Sequence, residues 1–164
     1  MEAATINGQL ERQLRELIAK QELHDLVARL HRALDQLDDE VICDTFAPGF
    51  RYGVRVGMTA QEFATHVRKM HRECFGPTGL KLKSTQHAIA NEIFEINGDE
   101  ATGEYLTHFR GVTVDGVLVQ MLVRYADRFV RTESRWRIAE RDVVVEWGSP
   151  ELEAFTTQLR SSPE

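Results

Sequence analysis

The 164-residue sequence predicts an α+β domain in which N-terminal helices pack on an antiparallel sheet. In the first half of the chain, apolar residues recur at the three- and four-residue spacing of a helix. The second half holds four long segments rich in β-prone residues, separated by turns of two or three residues. Because short turns join antiparallel neighbours, the sheet is expected to be a meander.

The first main helix is predicted by an apolar stripe that repeats every three or four residues. The stripe consists of Leu23, Leu26, Val27, Leu30, Leu34 and Leu37. A second group of apolar residues indicates an earlier helical stretch, and its members are Leu10, Leu14, Leu17 and Ile18. Asn7-Gly8 is expected to break the chain before that stretch.

Two further helices are predicted from capping residues. Asp38 is suited to cap a short helix because two acidic residues follow it in the first turn. Thr59 and Glu62 have the spacing of a capping box, so a third helix is expected to begin there and to end before Gly76. Between these helices, residues 50–54 are β-prone and are predicted to form a short strand.

The four long strands are predicted at residues 81–96, 100–114, 117–132 and 135–147. Long strands that curl around the helices would leave a cone with an open mouth, and such a pocket suits a small hydrophobic molecule. The chain, residues 1–164, is interpreted as one domain. Its core is placed at about residues 10–148, with a polar tail at residues 149–164.

Charge balance and cysteine content argue against several function classes. Twenty Lys and Arg against 26 Asp and Glu give a net charge of −6, whereas a nucleic-acid binder needs a basic face to neutralise phosphates. Two cysteines do not indicate a disulfide framework. No apolar run reaches the roughly 18 residues of a spanning helix. We therefore expect a cytoplasmic protein that binds neither nucleic acid nor a membrane.

His87 is the first candidate for chemistry. Strand alternation places His87 and Asn91 on one face with two isoleucines, a pattern typical of a polar group in an apolar pocket wall. An imidazole titrates near neutrality and can serve as a general base. The residues alone leave open the alternative of a structural, hydrogen-bonded histidine.

Asp35, near the end of the first main helix, is a candidate to orient that histidine and to stabilise its imidazolium form. The periodicity does not favour this role, because at 100° per residue Asp35 points about 130° away from the centre of the leucine stripe. On that evidence a solvated acid near a helix end remains the alternative. A helix partly enclosed by a cone, however, buries more than one face.

Arg141 shares its strand face with Val143 and Val145, and Trp136 and Ile138 are expected on the opposite face. An arginine directed into an apolar cavity would stabilise a departing anion or an enolate oxygen, whereas the alternative is a surface ion pair. Four further polar aromatic residues are candidates that the sequence does not separate from ordinary packing, namely Tyr52, Tyr105, Tyr125 and His108.

No metal or cofactor site is expected. The sequence holds no HExxH or CxxC motif, and His66 and His71 are five residues apart rather than the four that would align them on a helix. No glycine-rich phosphate loop is present. The candidates therefore indicate acid–base chemistry on a small organic molecule without a cofactor.

Three segments resemble the SnoaL-like branch of the nuclear transport factor 2-like superfamily, a cone-shaped α+β fold with a curved antiparallel sheet. They are Ala-Leu-Asp-Gln-Leu-Asp at residues 33–38, Gln-His-Ala-Ile-Ala-Asn at 86–91 and Trp-Arg-Ile-Ala-Glu-Arg at 136–141. The similarity spans about residues 17–147 and looks closest to hexachlorocyclohexane dehydrochlorinase, scytalone dehydratase and bile-acid dehydratase. Those enzymes use a His–Asp dyad, without metal or cofactor, to remove a proton and expel a β-leaving group.

The resemblance implies roles for individual residues. The catalytic dyad falls on Asp35 and His87, and an arginine that assists the leaving group falls on Arg141. Four residues are implied or expected to contact the substrate, namely Tyr52, Asn91, His108 and Tyr125. The chain departs from the pattern at Leu30, where the dehydrochlorinase has a lysine, and at Leu34, where scytalone dehydratase has a tyrosine.

The sequence thus predicts a cofactor-independent lyase, of dehydratase or dehydrochlorinase type, that acts on a small hydrophobic cyclic substrate. An isomerase or cyclase of the same fold and a non-catalytic ligand-binding or scaffold module are the alternatives. The third long strand is apolar on both faces, so one face would need covering, and a homo-oligomer is expected. The resembled lyases favour a trimer.

Overall fold

The computed structural model describes residues 2–161, which form helices followed by a sheet, as the sequence predicts. The helices are α1 (Glu2–Gln36), α2 (Asp39–Thr45), α3 (Ala60–Arg72) and α4 (Glu153–Ser161). The strands are β1 (Phe46–Tyr52), β2 (Arg55–Met58), β3 (Leu82–Asn97), β4 (Glu100–Thr113), β5 (Leu118–Thr132) and β6 (Arg135–Gly148). The predicted α+β class is confirmed, while Met1 and residues 162–164 of the predicted domain lie outside the described residues.

The six strands form one curved, unclosed sheet in the order β2-β1-β6-β5-β4-β3. The predicted meander is confirmed, because β3 to β6 pair antiparallel with their neighbours in sequence. The pairing of β1 with β6 is parallel, which the sequence did not indicate. No helix within residues 2–161 is long and apolar enough to cross a membrane.

The long helix α1 carries two apolar stripes on opposite sides. Residues of the predicted stripe, from Leu23 to Leu37, are buried against the sheet and the other helices. The N-terminal leucines Leu10, Leu14 and Leu17 are 54–65% exposed. The predicted break at Asn7-Gly8 is wrong, because the helix continues through both residues. One glycine costs a helix about 1 kcal/mol, and the surrounding Gln, Glu, Arg and Leu favour helix.

The predicted helix caps are present. The Asp38 carboxylate accepts a hydrogen bond from the Val41 backbone N–H at 3.2 Å and begins α2. At the start of α3, the Thr59 hydroxyl accepts from the Glu62 N–H at 3.2 Å, and the Glu62 carboxylate accepts from the Thr59 N–H at 2.8 Å. These caps fix the entry of α3, which turns Val67 and His71 toward the sheet.

A β-bulge in β6 changes which residues face inward. Phe129 pairs with Ile138 and Arg128 pairs with Glu140, so β6 holds one extra residue at this point. Trp136 and Ile138 are therefore buried together with Arg141, and the prediction that they lie on the face opposite Arg141 is wrong.

The C-terminal segment packs against the sheet. A short 3-10 helix at Pro150–Leu152 leads into α4, and Leu152 and Thr156 are buried. The ring of Phe155 lies 4.6 Å from that of Phe75, measured between centroids. The segment expected as a polar tail is thus helical over most of its length, and α4 places one aromatic side chain at the pocket described next.

Candidate functional site

A cavity of about 150 Å³ lies between the helices and the inner face of the sheet. Most of its wall is apolar and aromatic, with Phe63, Val67, Phe75, Phe109, Val143 and Phe155 among the residues that line it. Six polar aromatic or basic side chains interrupt this wall, and these are Tyr52, His66, His71, His87, Tyr125 and Arg141. An apolar cavity with a few convergent polar groups has the character of a small-molecule site.

His87 and Asp35 form a hydrogen-bonded pair at the cavity wall. His87 Nδ1 lies 2.6 Å from Asp35 Oδ1, and the side chains are 9% and 20% exposed. Asp35 also accepts from the His87 backbone N–H at 3.0 Å and from the Thr85 hydroxyl at 2.9 Å. With Nδ1 donating to the carboxylate, Nε2 is the nitrogen of His87 that remains to act as a base in the cavity.

The surroundings of Asp35 keep it ionised. Partial burial raises the pKa of this carboxyl group, but hydrogen bonds and charge from His87, together with the Thr85 hydroxyl, lower it below its ordinary value overall. The helix periodicity pointed Asp35 away from the core stripe, yet β3 packs along that side of α1. A second part of the wall thus encloses Asp35, and the carboxylate reaches the strand rather than solvent.

Arg141 is held by a buried network. Its Nε and Nη2 donate to the two carboxylate oxygens of Asp127 at 2.8 and 2.7 Å. Tyr105 donates its hydroxyl to Asp127 at 2.7 Å and accepts from Arg141 Nη2. Burial lowers the pKa of Arg141, but the adjacent Asp127 carboxylate outweighs it and raises that pKa, so the guanidinium stays charged. The sequence did not single out Asp127.

A second histidine, His31, lies beside the dyad and was not predicted as a site residue. Its ring centroid is 5.5 Å from that of His87, and its Nδ1 lies 2.8 Å from the Val27 carbonyl oxygen. Burial and electrostatic interactions with His87 and Arg141 lower the pKa of His31 well below its ordinary value, so it is neutral. His31 and Asp35 are four residues apart and so lie on one side of α1. This spacing is the feature of the sequence that could have identified His31 as a neighbour of the dyad.

Other polar residues of the wall are also held neutral. Burial, aided by the electrostatic interaction with His87, lowers the pKa of His71 to about 4. Burial raises the pKa values of Tyr52 and Tyr125 above the ordinary tyrosine value, so both hydroxyls keep their protons. The guanidinium carbon of Arg141 lies 4.6 Å from the Tyr125 ring centroid, which places these two predicted residues side by side.

Asn91 and His108 lie away from the cavity. Asn91 sits at a bulge in β3, with a φ of 58°, and is exposed, so the predicted alternation from His87 to Ile93 is broken at this residue. His108 lies between the buried Thr107 and Phe109 and faces the outer side of the sheet. The structure therefore gives neither residue access to a ligand in the cavity.

Within residues 2–161, no three side chains of the His, Cys, Asp and Glu types converge in a way that would hold a metal ion. The chemistry available from the described residues is a base with an orienting carboxylate, a buried cation and protonated phenols.

Helices packed on a curved, unclosed sheet around such a pocket define a protein of the nuclear transport factor 2-like superfamily. The chain belongs to the family of SnoaL-like domains, whose sequence pattern matches residues 15–142. No curated protein matches the sequence.

Solved structures share this fold. A hexachlorocyclohexane dehydrochlorinase, type 2, superposes with a TM-score of 0.71 at 13% identity, over 84% of this chain and 92% of that chain. A scytalone dehydratase-like protein from Novosphingobium aromaticivorans gives 0.69 at 12% identity, over 82% and 88% of the two chains. A nuclear transport factor 2-like protein from the same organism gives 0.69 at 21%, over 88% and 93%. At these identities the likeness concerns the fold.

Proposed function

We propose that the protein is a cofactor-independent lyase that removes a proton from a small hydrophobic ring compound and expels a leaving group from the adjacent carbon. The observation that carries this proposal is the 2.6 Å hydrogen bond between His87 Nδ1 and Asp35 Oδ1 at the wall of an apolar cavity. A base oriented by a carboxylate is the arrangement that proton abstraction needs.

In the proposed step, His87 Nε2 takes a proton from a ring carbon. The electron pair of the broken C–H bond forms the new double bond, and the leaving group departs with the pair of its own bond. Asp35 stabilises the imidazolium that results, because its carboxylate bonds to Nδ1. If the leaving group is hydroxide, the proton on His87 passes to it and water is released; if it is a halide, the proton passes to solvent.

Arg141 and Tyr52 are the proposed donors to the leaving group or to an adjacent oxygen. Both line the cavity, and they are cross-strand neighbours in the parallel pairing of β1 with β6. A fixed donor that meets developing negative charge in a dry site lowers the barrier more than the same donor in water. Their positions favour a substrate whose polar group sits against β1 and β6.

The cavity volume favours a single ring. An engineered protein cavity of about 150 Å³ holds benzene, and the cavity here has about the same volume. Hydroxylated or halogenated six-membered rings match that volume, whereas a four-ring steroid requires a larger cavity. Among the substrate classes to be tested, single-ring alicyclic compounds therefore take priority.

The test is turnover by the purified protein of halogenated alicyclics, hydroxy-steroids and aromatic polyketide precursors, with products identified by mass spectrometry. For an accepted substrate, His87→Ala is expected to lower kcat by about 10²- to 10⁴-fold, because it removes the base. Asp35→Asn is expected to lower kcat in the same direction, because it loses the charge that stabilises the imidazolium.

The matched control is His108→Ala, which removes an exposed histidine outside the cavity and is expected to keep wild-type kcat. Undiminished turnover by His87→Ala would disprove the proposal. An isomerised or cyclised product in place of an alkene would replace elimination by isomerisation or cyclisation at the same dyad.

A further inference from the structure

Arg141 is held by a hydrogen-bond network whose members are all buried. Arg141, Asp127 and Tyr105 have exposed fractions of 1%, 3% and 1%. The guanidinium makes a two-pronged contact with the carboxylate, and the Tyr105 hydroxyl bonds to both partners. A bidentate contact fixes the plane of the guanidinium as well as its position. Arg141 therefore has one defined orientation at the cavity wall.

The two charged groups of this network differ in their access to the cavity. Arg141 lines the cavity, whereas Asp127 is not among the lining residues and contacts the guanidinium from behind. The ionisable groups that interact electrostatically with Arg141 are Asp127, Tyr105, Tyr125, Tyr52 and His31. Of these, Asp127 is the carboxylate, so its negative charge is the one that offsets the guanidinium.

We propose that Asp127 is a positioning residue of the candidate site: it holds Arg141 toward the cavity and offsets the charge of the guanidinium. The site then takes ring compounds that bind as neutral molecules through an acceptor oxygen. This inference rests on the proposed function in treating the cavity as the ligand site. A ligand that arrives as an anion meets a guanidinium already paired with a carboxylate, and therefore gains little. A neutral ketone or hydroxyl oxygen accepts a hydrogen bond without needing a free cation.

The same arrangement distinguishes Asp127 from the acids on the outer face of the sheet. Asp142 is adjacent to Arg141 in sequence but points outward, where it pairs with Arg51 at 2.9 Å and is exposed. Both carboxylates thus pair with an arginine, and only Asp127 pairs with one that lines the cavity. Asp142 is accordingly the matched control for Asp127.

The probe is 4-nitrophenol, a single ring with an oxygen whose neutral and anionic forms absorb at different wavelengths. Its affinity and the apparent pKa of the bound probe are measured by absorbance titration for the wild type and for Asp127→Asn and Asp142→Asn. We expect the bound probe to ionise at a pH at least one unit lower in Asp127→Asn than in the wild type, because the guanidinium then lacks its counter-charge. Asp142→Asn is expected to match the wild type.

Two results would overturn the inference. The first is a wild-type protein that does not bind the probe, since the cavity then does not take a single ring through oxygen. The second is an equal pKa of the bound probe in all three proteins, since Asp127 then has only a structural role. His87→Gln, titrated in parallel, separates the effect of the dyad on the probe.

If Asp127→Asn does not fold, as judged by circular dichroism, the double variant Asp127→Asn/Arg141→Gln replaces it, since no charge is then left buried without a partner. We expect at least a tenfold loss of affinity for the probe in this variant, and wild-type affinity would overturn the inference. A protein that binds the probe as expected but converts none of the test substrates would contradict the lyase and leave the role of Asp127 in place.

Discussion

The candidate site combines a carboxylate that stays ionised with imidazoles that are held neutral. Asp35 keeps its charge because three hydrogen bonds converge on it, two from His87 and one from Thr85. His31 and His71 lose theirs because burial disfavours the charged form. His87 is thus the histidine of the cavity wall that has an ionised acid as its direct partner.

Buried neutral histidines make the fold sensitive to acid, and His71 gives the clearest case. Its pKa is about 4 in the folded protein, below the ordinary value of 6.5, so the unfolded chain binds the proton more readily. Stability from this group is therefore full above pH 6.5 and is lost as the pH falls toward 4. Between pH 7.5 and pH 5 we expect a loss of about 2 kcal/mol from His71, measured by urea unfolding.

The variant His71→Gln tests this assignment, because glutamine does not titrate. Its free energy of unfolding is expected to depend less on pH, by about 2 kcal/mol over the same interval. His108→Gln removes an exposed histidine and serves as the control, with the full pH dependence retained. Identical pH profiles for wild type and His71→Gln would assign the acid sensitivity elsewhere, with His31 the next candidate.

The sequence predicted the contacts of some site residues and not of others. The pairing of His87 with Asp35 was reached through the resemblance, since helix periodicity alone favoured a solvated Asp35. Periodicity measures one buried face, whereas α1 also contacts β3 on a second side. Asp127 carried no signal, because a single acid on an alternating strand shows its buried partner only when the strands are paired.

At the level of whole elements, sequence patterns predicted which helices and strands are present better than they predicted the register in which the strands pair. The four long strands and the caps of α2 and α3 were found because turn residues and capping residues act locally. The bulges in β3 and β6 were missed. A bulge is set by pairing with the neighbouring strand, so it reverses the facing of Asn91 and of Trp136 without a local sequence signature.

The capping box of α3 allows a quantitative test. Thr59→Ala removes the hydroxyl that accepts from the Glu62 N–H, and we expect a loss of about 1 kcal/mol in the free energy of unfolding by urea. Thr65→Ala makes the same chemical change at an exposed position inside α3, where alanine favours helix, so it is expected to stabilise the protein slightly. Equal effects of the two substitutions would mean that the box adds nothing to stability.

For the molecule as a whole, the two faces of the sheet lie in different environments. Its inner face lines the cavity through residues such as Met121 and Val123. Its outer face exposes apolar side chains on β5 and β6, with Leu118 51%, Val144 54% and Trp147 52% exposed. Trp147 lies opposite Leu122 in the pairing of these strands, so these two apolar side chains are cross-strand neighbours. Monomeric proteins rarely leave such a face uncovered.

We therefore expect a homo-oligomer in which copies of the chain cover this outer face. The resemblance to the lyases favours a trimer, whose mass by light scattering would be about 56 kDa, three times that of the 18.8 kDa chain. Val144→Glu/Trp147→Glu places two charges on the face and should yield monomers, because burying them in an interface without partners is costly. Val54→Glu adds a charge at an exposed turn and is expected to leave the assembly intact.

A wild-type monomer at micromolar concentration would contradict the prediction. An oligomer unaffected by the double variant would place the interface elsewhere, and the exposed leucines of α1, from Leu10 to Leu17, would then be the next surface to mutate.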